Sequence, residues 1–287
     1  MASRSSSPRF KLIAVDLDGT LLDLRGVPHE RDVRALRAAQ RAGIGVSILT
    51  GRLYSGTRAS AETLGLAGAV GCADGSHIVR ASDHETLLHL GLIGLDAHAV
   101  RDAVARNGPA AFVFARDTIV HDARGEPFLP YVRTWSLDVQ ATAAVEEHEF
   151  WSSEDGITAV VAVGTAEQIH GTGDEIERSL GTQAQVAMFP IRRLVDTWGL
   201  IARAAGGTKG SALSYVAAQH GCALDETVCV GDWLNDVSMF AVAGRSYAMG
   251  QAPDEVKHAA TAVLAETSEH GGGIARVIEE LFEVRVE

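Results

Sequence analysis

A chain of 287 residues that is 46% hydrophobic, with a mean hydropathy of +0.08 and 30 glycines, has material for a sizeable core and many tight strand–helix turns. Its 25 Lys and Arg against 37 Asp and Glu give a formal charge of −12, which repels polyanions and argues against nucleic acid or an anionic membrane as a partner. Cys72, Cys222 and Cys229 are odd in number and lack metal-ligand spacing, so no disulfide framework is expected; no apolar run reaches the roughly 18 residues of a membrane span.

Met1 to Pro8 is serine-rich and is followed by no signal-like apolar stretch, so it reads as a disordered tail on a cytoplasmic protein. Lys11 to Asp16 is a short run of buried-strand character that stops at a glycine-containing turn. Glu30 to Ala42 repeats its apolar residues at helical spacing and ends at Gly43. Gly45 to Leu49 reads as a strand, Leu53 to Leu64 as a helix and Ala69 to Cys72 as a third strand. Alternation of this kind builds an α/β fold with a parallel sheet and helices on both faces.

From Ser76 to Gly206 the rhythm changes. Helices are expected at Asp96 to Arg106 and Ala166 to Leu180, with strands at Ala111 to Ala115, Thr158 to Val163, Ala184 to Met188 and Leu194 to Thr197. This mixture suggests an α+β insert with an antiparallel sheet. Gly125 to Trp151 fits no single period, and Gly171-Thr172-Gly173 reads as a turn or helix start rather than part of a dinucleotide fingerprint. The βα rhythm resumes after Gly207, with helix Lys209 to His220, strand Thr227 to Gly231, helix Asn235 to Ala243, strand Ser246 to Met249 and helix Pro253 to Ala259. Gly271 to Gly273 reads as a flexible loop before a closing helix, Ile274 to Phe282.

Chemistry gathers at three strand ends, where ligands bind in open α/β sheets. Asp16-Leu17-Asp18-Gly19-Thr20 places two carboxylates on one side of extended chain, because side-chain direction alternates with period two. Thr50-Gly51-Arg52, between a strand and a helix, offers a hydroxyl and a closely approachable amide to a phosphate; the same pattern also serves as a helix N-cap. Gly231-Asp232-Trp233-Leu234-Asn235-Asp236 adds carboxylates and an amide at a third strand end, and acidic groups from two strand ends suit the oxygen cage of Mg²⁺. Lys209 opens a helix after Gly206-Gly207-Thr208 and supplies a fixed positive charge. The eleven histidines show no paired metal spacing.

These four segments, in this order, resemble the haloacid dehalogenase superfamily over nearly all of the chain outside the insert. The resemblance implies a Rossmann-like core from residues 1–75 and 207–287, and the position of the insert, residues 76–206, is similar to the C2 cap of the Cof-like, type IIB branch. It further implies Asp16 as nucleophile, Asp18 as general acid/base, and Thr50, Gly51, Lys209 and Asn235 as groups that bind the substrate phosphate. Asp16, Asp232 and the backbone carbonyl of Asp18 would hold Mg²⁺, with Asp236 in support. The implied activity is phosphatase action on a small phosphate ester, a sugar phosphate first; a phosphosugar mutase and a catalytically silent sugar-phosphate sensor are the alternatives. Cys72-Ala73-Asp74-Gly75 and Met249-Gly250-Gln251-Ala252 carry Asp74 and Gln251 where that branch often has asparagine. Trp233 is a candidate to face substrate or to pack between core and insert, and Arg192-Arg193 a candidate for a second anionic group of the substrate.

Overall fold

The computed structural model describes residues 10–191, 194–282 and 284; the serine-rich start and the Arg192-Arg193 pair lie outside the described residues. The chain forms two compact units. One takes the chain through Thr50, Arg58–Glu85 and Thr208 onward; the other takes Gly51–Thr57 and Thr86–Gly207.

The first unit begins with strand β1 (Leu12–Val15), helix α1 (Glu30–Arg41), β2 (Gly45–Ile48), α2 (Tyr54–Leu64, whose first turn belongs to the second unit), β3 (Ala69–Cys72) and β4 (His77–Arg80). The second unit supplies β5 (Thr86–His89), α3 (Gly94–Asn107), β6 (Ala110–Ala115), β7 (Thr118–His121), α4 (Leu129–Val132), β8 (Val139–Ala141), β9 (Ala159–Gly164), α5 (Ala166–Leu180), β10 (Ala184–Pro190) and β11 (Trp198–Ala204). The first unit then resumes with α6 (Lys209–Gln219), β12 (Thr227–Gly231), α7 (Val237–Phe240), β13 (Arg245–Ala248), α8 (Asp254–Ala259), β14 (Ala262–Val263) and α9 (Gly273–Leu281).

The first unit is built on a parallel sheet in the order β14-β13-β12-β1-β2. All four residues of β1 are fully buried, as continuous apolar runs in a parallel sheet require. The chain runs from β1 to β2 on one side and reaches β12 on the other, so the strand order reverses between β1 and β12. That reversal opens the crevice beyond their carboxyl ends. Two helix pairs, α1 with α9 and α6 with α7, pack beside the sheet. Asp32 joins the first pair: its buried carboxylate accepts the Gly272 and Ala275 backbone N–H groups, each at 2.8 Å, and so caps α9 from another helix.

The second unit carries a six-stranded sheet, β10-β11-β9-β6-β7-β8, antiparallel except for the β7–β8 pair. Val113, Val160 and Leu200 of that sheet pack with Val100 of α3, Ile169 of α5 and the buried Trp151.

Several expectations change. The first unit runs on to Glu85, beyond the expected boundary before Ser76, because β4 pairs antiparallel with β3. Leu194 to Thr197 is a turn, with Asp196 at φ 49° and Ile191 N–H donating to the Thr197 carbonyl; the strand begins only at Trp198. Gly171-Thr172-Gly173 lies inside α5, where the two glycines let the helix approach Asn107 and Met188. Asn235 to Ala243 is a 3₁₀ turn followed by the short α7, and Gly273 is already the first residue of α9. All three cysteines are free and buried, and among the described residues no helix is long and apolar enough to cross a membrane.

Candidate active site

Asp16 follows the last residue of β1 and Asp232 the last of β12, so the strand reversal brings these two buried carboxylates together. Asp18 lies on the exposed part of the turn after β1. That turn is closed by Thr20 N–H and Leu22 N–H, both donating to the Leu17 carbonyl at 3.2 and 2.8 Å. Its sharpness depends on Gly19, at φ 82°, where a Cβ would stand 2.8 Å from Asp232 Cγ. The same closeness lets Thr20 Oγ1 donate to Asp232 Oδ1 at 3.2 Å.

Lys209 is the first residue of α6, whose start is fixed by a reciprocal cap: Ser211 N–H donates to Thr208 Oγ1 and Thr208 N–H to Ser211 Oγ, both at 3.0 Å. Its Nζ, 1% exposed, donates to Asp16 Oδ1 at 2.6 Å and to Asp236 Oδ1 at 2.5 Å. Burial alone would lower the pKa of this ammonium, but the carboxylates of Asp16, Asp236 and Asp74 outweigh it and hold the proton firmly.

Asp236, fully buried, is placed more centrally than a supporting role suggested. Its Oδ2 accepts Asp232 N–H at 2.7 Å and Trp233 N–H at 2.9 Å, while Oδ1 takes Lys209. Gly231 leaves room for it, since a Cβ there would sit 2.7 Å from Asp236 Cβ. One carboxylate thus braces the turn after β12 against the lysine.

Thr50, 1% exposed, lies two residues beyond the end of β2; its N–H donates to the Gly71 carbonyl and its carbonyl accepts Asp74 N–H, both at 2.9 Å. Gly51 is half-buried and directly follows Thr50 in the chain. Asn235 donates from Nδ2 to Asp74 Oδ1 at 2.7 Å, so its amide is engaged by the residue that replaces an expected asparagine. Asp74 holds left-handed backbone, φ 52° and ψ 32°. Trp233 is 51% exposed. Sequence reasoning missed two tethers at this centre, Thr20 on Asp232 and Gln251 on the Gly19 carbonyl; Thr20 was visible in the Asp-x-Asp-Gly-Thr run, and Gln251 only as a departure from a family pattern.

The carboxylates of Asp16, Asp232 and Asp236 form the group of three metal-type side chains found among the described residues, with one ligand atom of each within 4.8 Å of the others. Burial first, then mutual repulsion, raises Asp16 well above the usual carboxylate range and Asp232 to about 7. Three carboxylates face one ammonium, so the centre lacks positive charge. An all-oxygen donor set without histidine or cysteine suits Mg²⁺ rather than zinc. Asp236 has both oxygens committed, which leaves Asp16 and Asp232 as the side chains with oxygen free to bind a cation. The residues therefore fit the ion.

A protein-family model described as haloacid dehalogenase-like hydrolase matches residues 13–278. This chain belongs to that family. It is 27% identical over 291 residues to phosphatase YwpJ of Bacillus subtilis, covering 95% of this chain and 100% of the relative. The pyridoxal phosphate phosphatase YbhA of Escherichia coli is 26% identical over 273 residues, covering 90% and 94%. Among solved structures, a haloacid dehalogenase-like hydrolase from Bacteroides thetaiotaomicron superposes with a TM-score of 0.81 at 23% identity, covering 95% and 100%. The subclass IIB sugar phosphatase BT4131 gives 0.73 at 20% identity, covering 96% and 100%. The two solved structures share the fold of this chain.

Proposed function

We propose that this protein is a Mg²⁺-dependent phosphatase that hydrolyses a small phosphorylated metabolite through an aspartyl-phosphate on Asp16. The observation that carries the reading is the buried Asp16 carboxylate held at 2.6 Å by Lys209, beside Asp232, at the carboxyl ends of β1 and β12. An oxygen of Asp16 attacks phosphorus, the bond to the leaving oxygen breaks on the far side, and Asp18 gives that oxygen its proton. Asp18, exposed to solvent and now anionic, then takes a proton from the water that splits the acyl phosphate and returns Asp16. Lys209 orients Asp16, and with the Thr50 hydroxyl, the Gly51 amide and Asn235 it holds the phosphoryl oxygens. Bound Mg²⁺ supplies the charge neutralisation that lets a carboxylate approach a phosphate dianion.

A sugar phosphate is the first candidate substrate and a phosphorylated vitamin the second, in keeping with the sugar phosphatase and pyridoxal phosphate phosphatase among its relatives. We read the second unit as the cap that selects between them. The test is phosphate release from a panel of phosphorylated sugars, vitamins and nucleotides, with and without chelator. Turnover of at least one small phosphate ester, abolished by chelation and restored by Mg²⁺, is expected. Full activity in chelated enzyme would contradict the metal requirement, and isomerised sugar phosphate without free phosphate would point to a mutase.

A further inference from the structure

The loop after β13 is fixed by its own backbone. Met249 N–H donates to the Gly231 carbonyl at 2.9 Å, Gly250 N–H to the Glu266 carbonyl at 2.8 Å and Ala252 N–H to the Met249 carbonyl at 3.0 Å. Gln251 projects from this loop, and its exposed side chain is nonetheless tied at both ends of the amide. Ser268 N–H donates to Oε1 at 3.3 Å, which decides the orientation of the group, because only oxygen can accept there. Nε2 then serves as the donor, and it donates to the Gly19 carbonyl at 2.5 Å.

Gly19 lies in the turn after β1, 232 residues from Gln251 along the chain, and its backbone stands against the Asp232 carboxylate, where a Cβ would fall 2.8 Å from Cγ. The amide therefore ties the loop after β13 to the turn that carries Asp18 and Thr20, and Thr20 in turn donates to Asp232 Oδ1 at 3.2 Å.

We infer that Gln251 is a positioning residue for the cation site: it clamps the Gly19 peptide, and with it the turn that stands against Asp232, in one geometry, and thereby sets the affinity for Mg²⁺. The inference rests on the Mg²⁺ reading of the centre. On this reading Gln251 acts on the cation site rather than on the reacting groups. Its removal acts on the metal first, and on turnover only through the metal.

Hydrogen bonds behind the direct ligands typically govern metal affinity by about 10–100-fold. The test is calorimetric titration of chelator-stripped enzyme with MgCl₂ alone, for wild type, Gln251→Ala and Gln251→Met, the last keeping chain length while removing the amide. Both variants are expected to bind Mg²⁺ about 10-fold or more weakly, to unfold at the wild-type temperature without metal, and to recover near wild-type kcat at saturating Mg²⁺. Wild-type Kd in both variants, with wild type itself binding Mg²⁺, would overturn the clamp and leave the phosphatase reading standing. No binding by wild type would overturn the Mg²⁺ reading and the clamp with it, whereas binding without phosphatase activity on any substrate would sink the functional reading alone. Equal loss of kcat at saturating metal would place Gln251 in the reaction itself and also overturn the inference.

Discussion

The Lys209 ammonium separates Asp16 from Asp236 in a place that solvent barely reaches. Replacing it by methionine leaves two buried carboxylates facing each other. Breaking a buried pair from one side costs about 3–5 kcal/mol, so Lys209→Met should unfold at markedly lower denaturant in the metal-free state, and, if Lys209 holds the phosphoryl oxygens as proposed, its kcat/KM should fall by about 10²–10³ with the loss of that preorganised charge. A denaturant titration and steady-state kinetics check both. Asp232 gives a pH signature. Burial and Asp236 raise it to about 7 from an ordinary 3.8, so the folded chain holds a proton that the unfolded chain releases near pH 4. Its contribution to stability is full below pH 4 and is lost as pH rises to about 7. Chelated wild type should therefore lose denaturant resistance across that window more steeply than chelated Asp232→Asn; identical slopes would show that Asp232 does not titrate there. At this scale the sequence was readable where one strand fixes one side chain, as for Asp16 and Asp232. It was unreadable where the partner comes from a distant loop: Asp74 and Asn235 are 161 residues apart, and nothing local announces their bond.

Helix starts show the same dependence on distant partners. Helix α2 begins after Leu53, which has no side-chain oxygen to offer its first N–H groups. Asp117, in the β6–β7 turn at φ 61°, supplies the acceptor: its carboxylate takes the N–H groups of Ser55, at 2.9 Å, and Tyr54. Ser55 Oγ donates to the Asp117 carbonyl at 3.0 Å. Loss of a helix cap costs about 0.5–2 kcal/mol, so Asp117→Ala should lower stability by that amount and speed hydrogen exchange at residues 54–57, with Asp117→Asn recovering part of the loss. Unchanged exchange would show that the cap carries no weight. Elements with strong periodic pattern, such as α1 and α5, were legible because burial of one helix face writes itself into the sequence. The strand β11 was not. Trp-Gly-Leu-Ile-Ala-Arg-Ala mixes a glycine with residues buried to different degrees, and the turn before it, with Asp196 at positive φ, contains the more strand-like Leu194 and Val195.

At the scale of the molecule, the alternation of strands and helices revealed the parallel sheet, and the strand reversal between β1 and β12 explains why motifs more than two hundred residues apart form one centre. The mixed sheet of the second unit was only outlined, because β7 and β8 are short and gain their stability from neighbours rather than from their own pattern. If that unit is the selecting cap, exchanging residues 86–207 for the equivalent segment of a relative with another substrate should redirect the ranking of kcat/KM values. A folded chimera with an unchanged ranking would place specificity in the first unit. The central claim is that Asp16 carries the phosphoryl group while Asp18 moves protons. General acid–base assistance is worth about 10²–10⁴ in rate, so Asp18→Asn should keep a trace of turnover and, with a substrate bearing a good leaving group, accumulate the acyl phosphate. Asp16→Asn should form neither intermediate nor product. The most direct measurement is rapid acid quench followed by mass spectrometry of the peptide containing Asp16. A phosphorylated Asp16 in wild type or Asp18→Asn, absent from Asp16→Asn, is the predicted result; robust turnover by Asp16→Asn would contradict it.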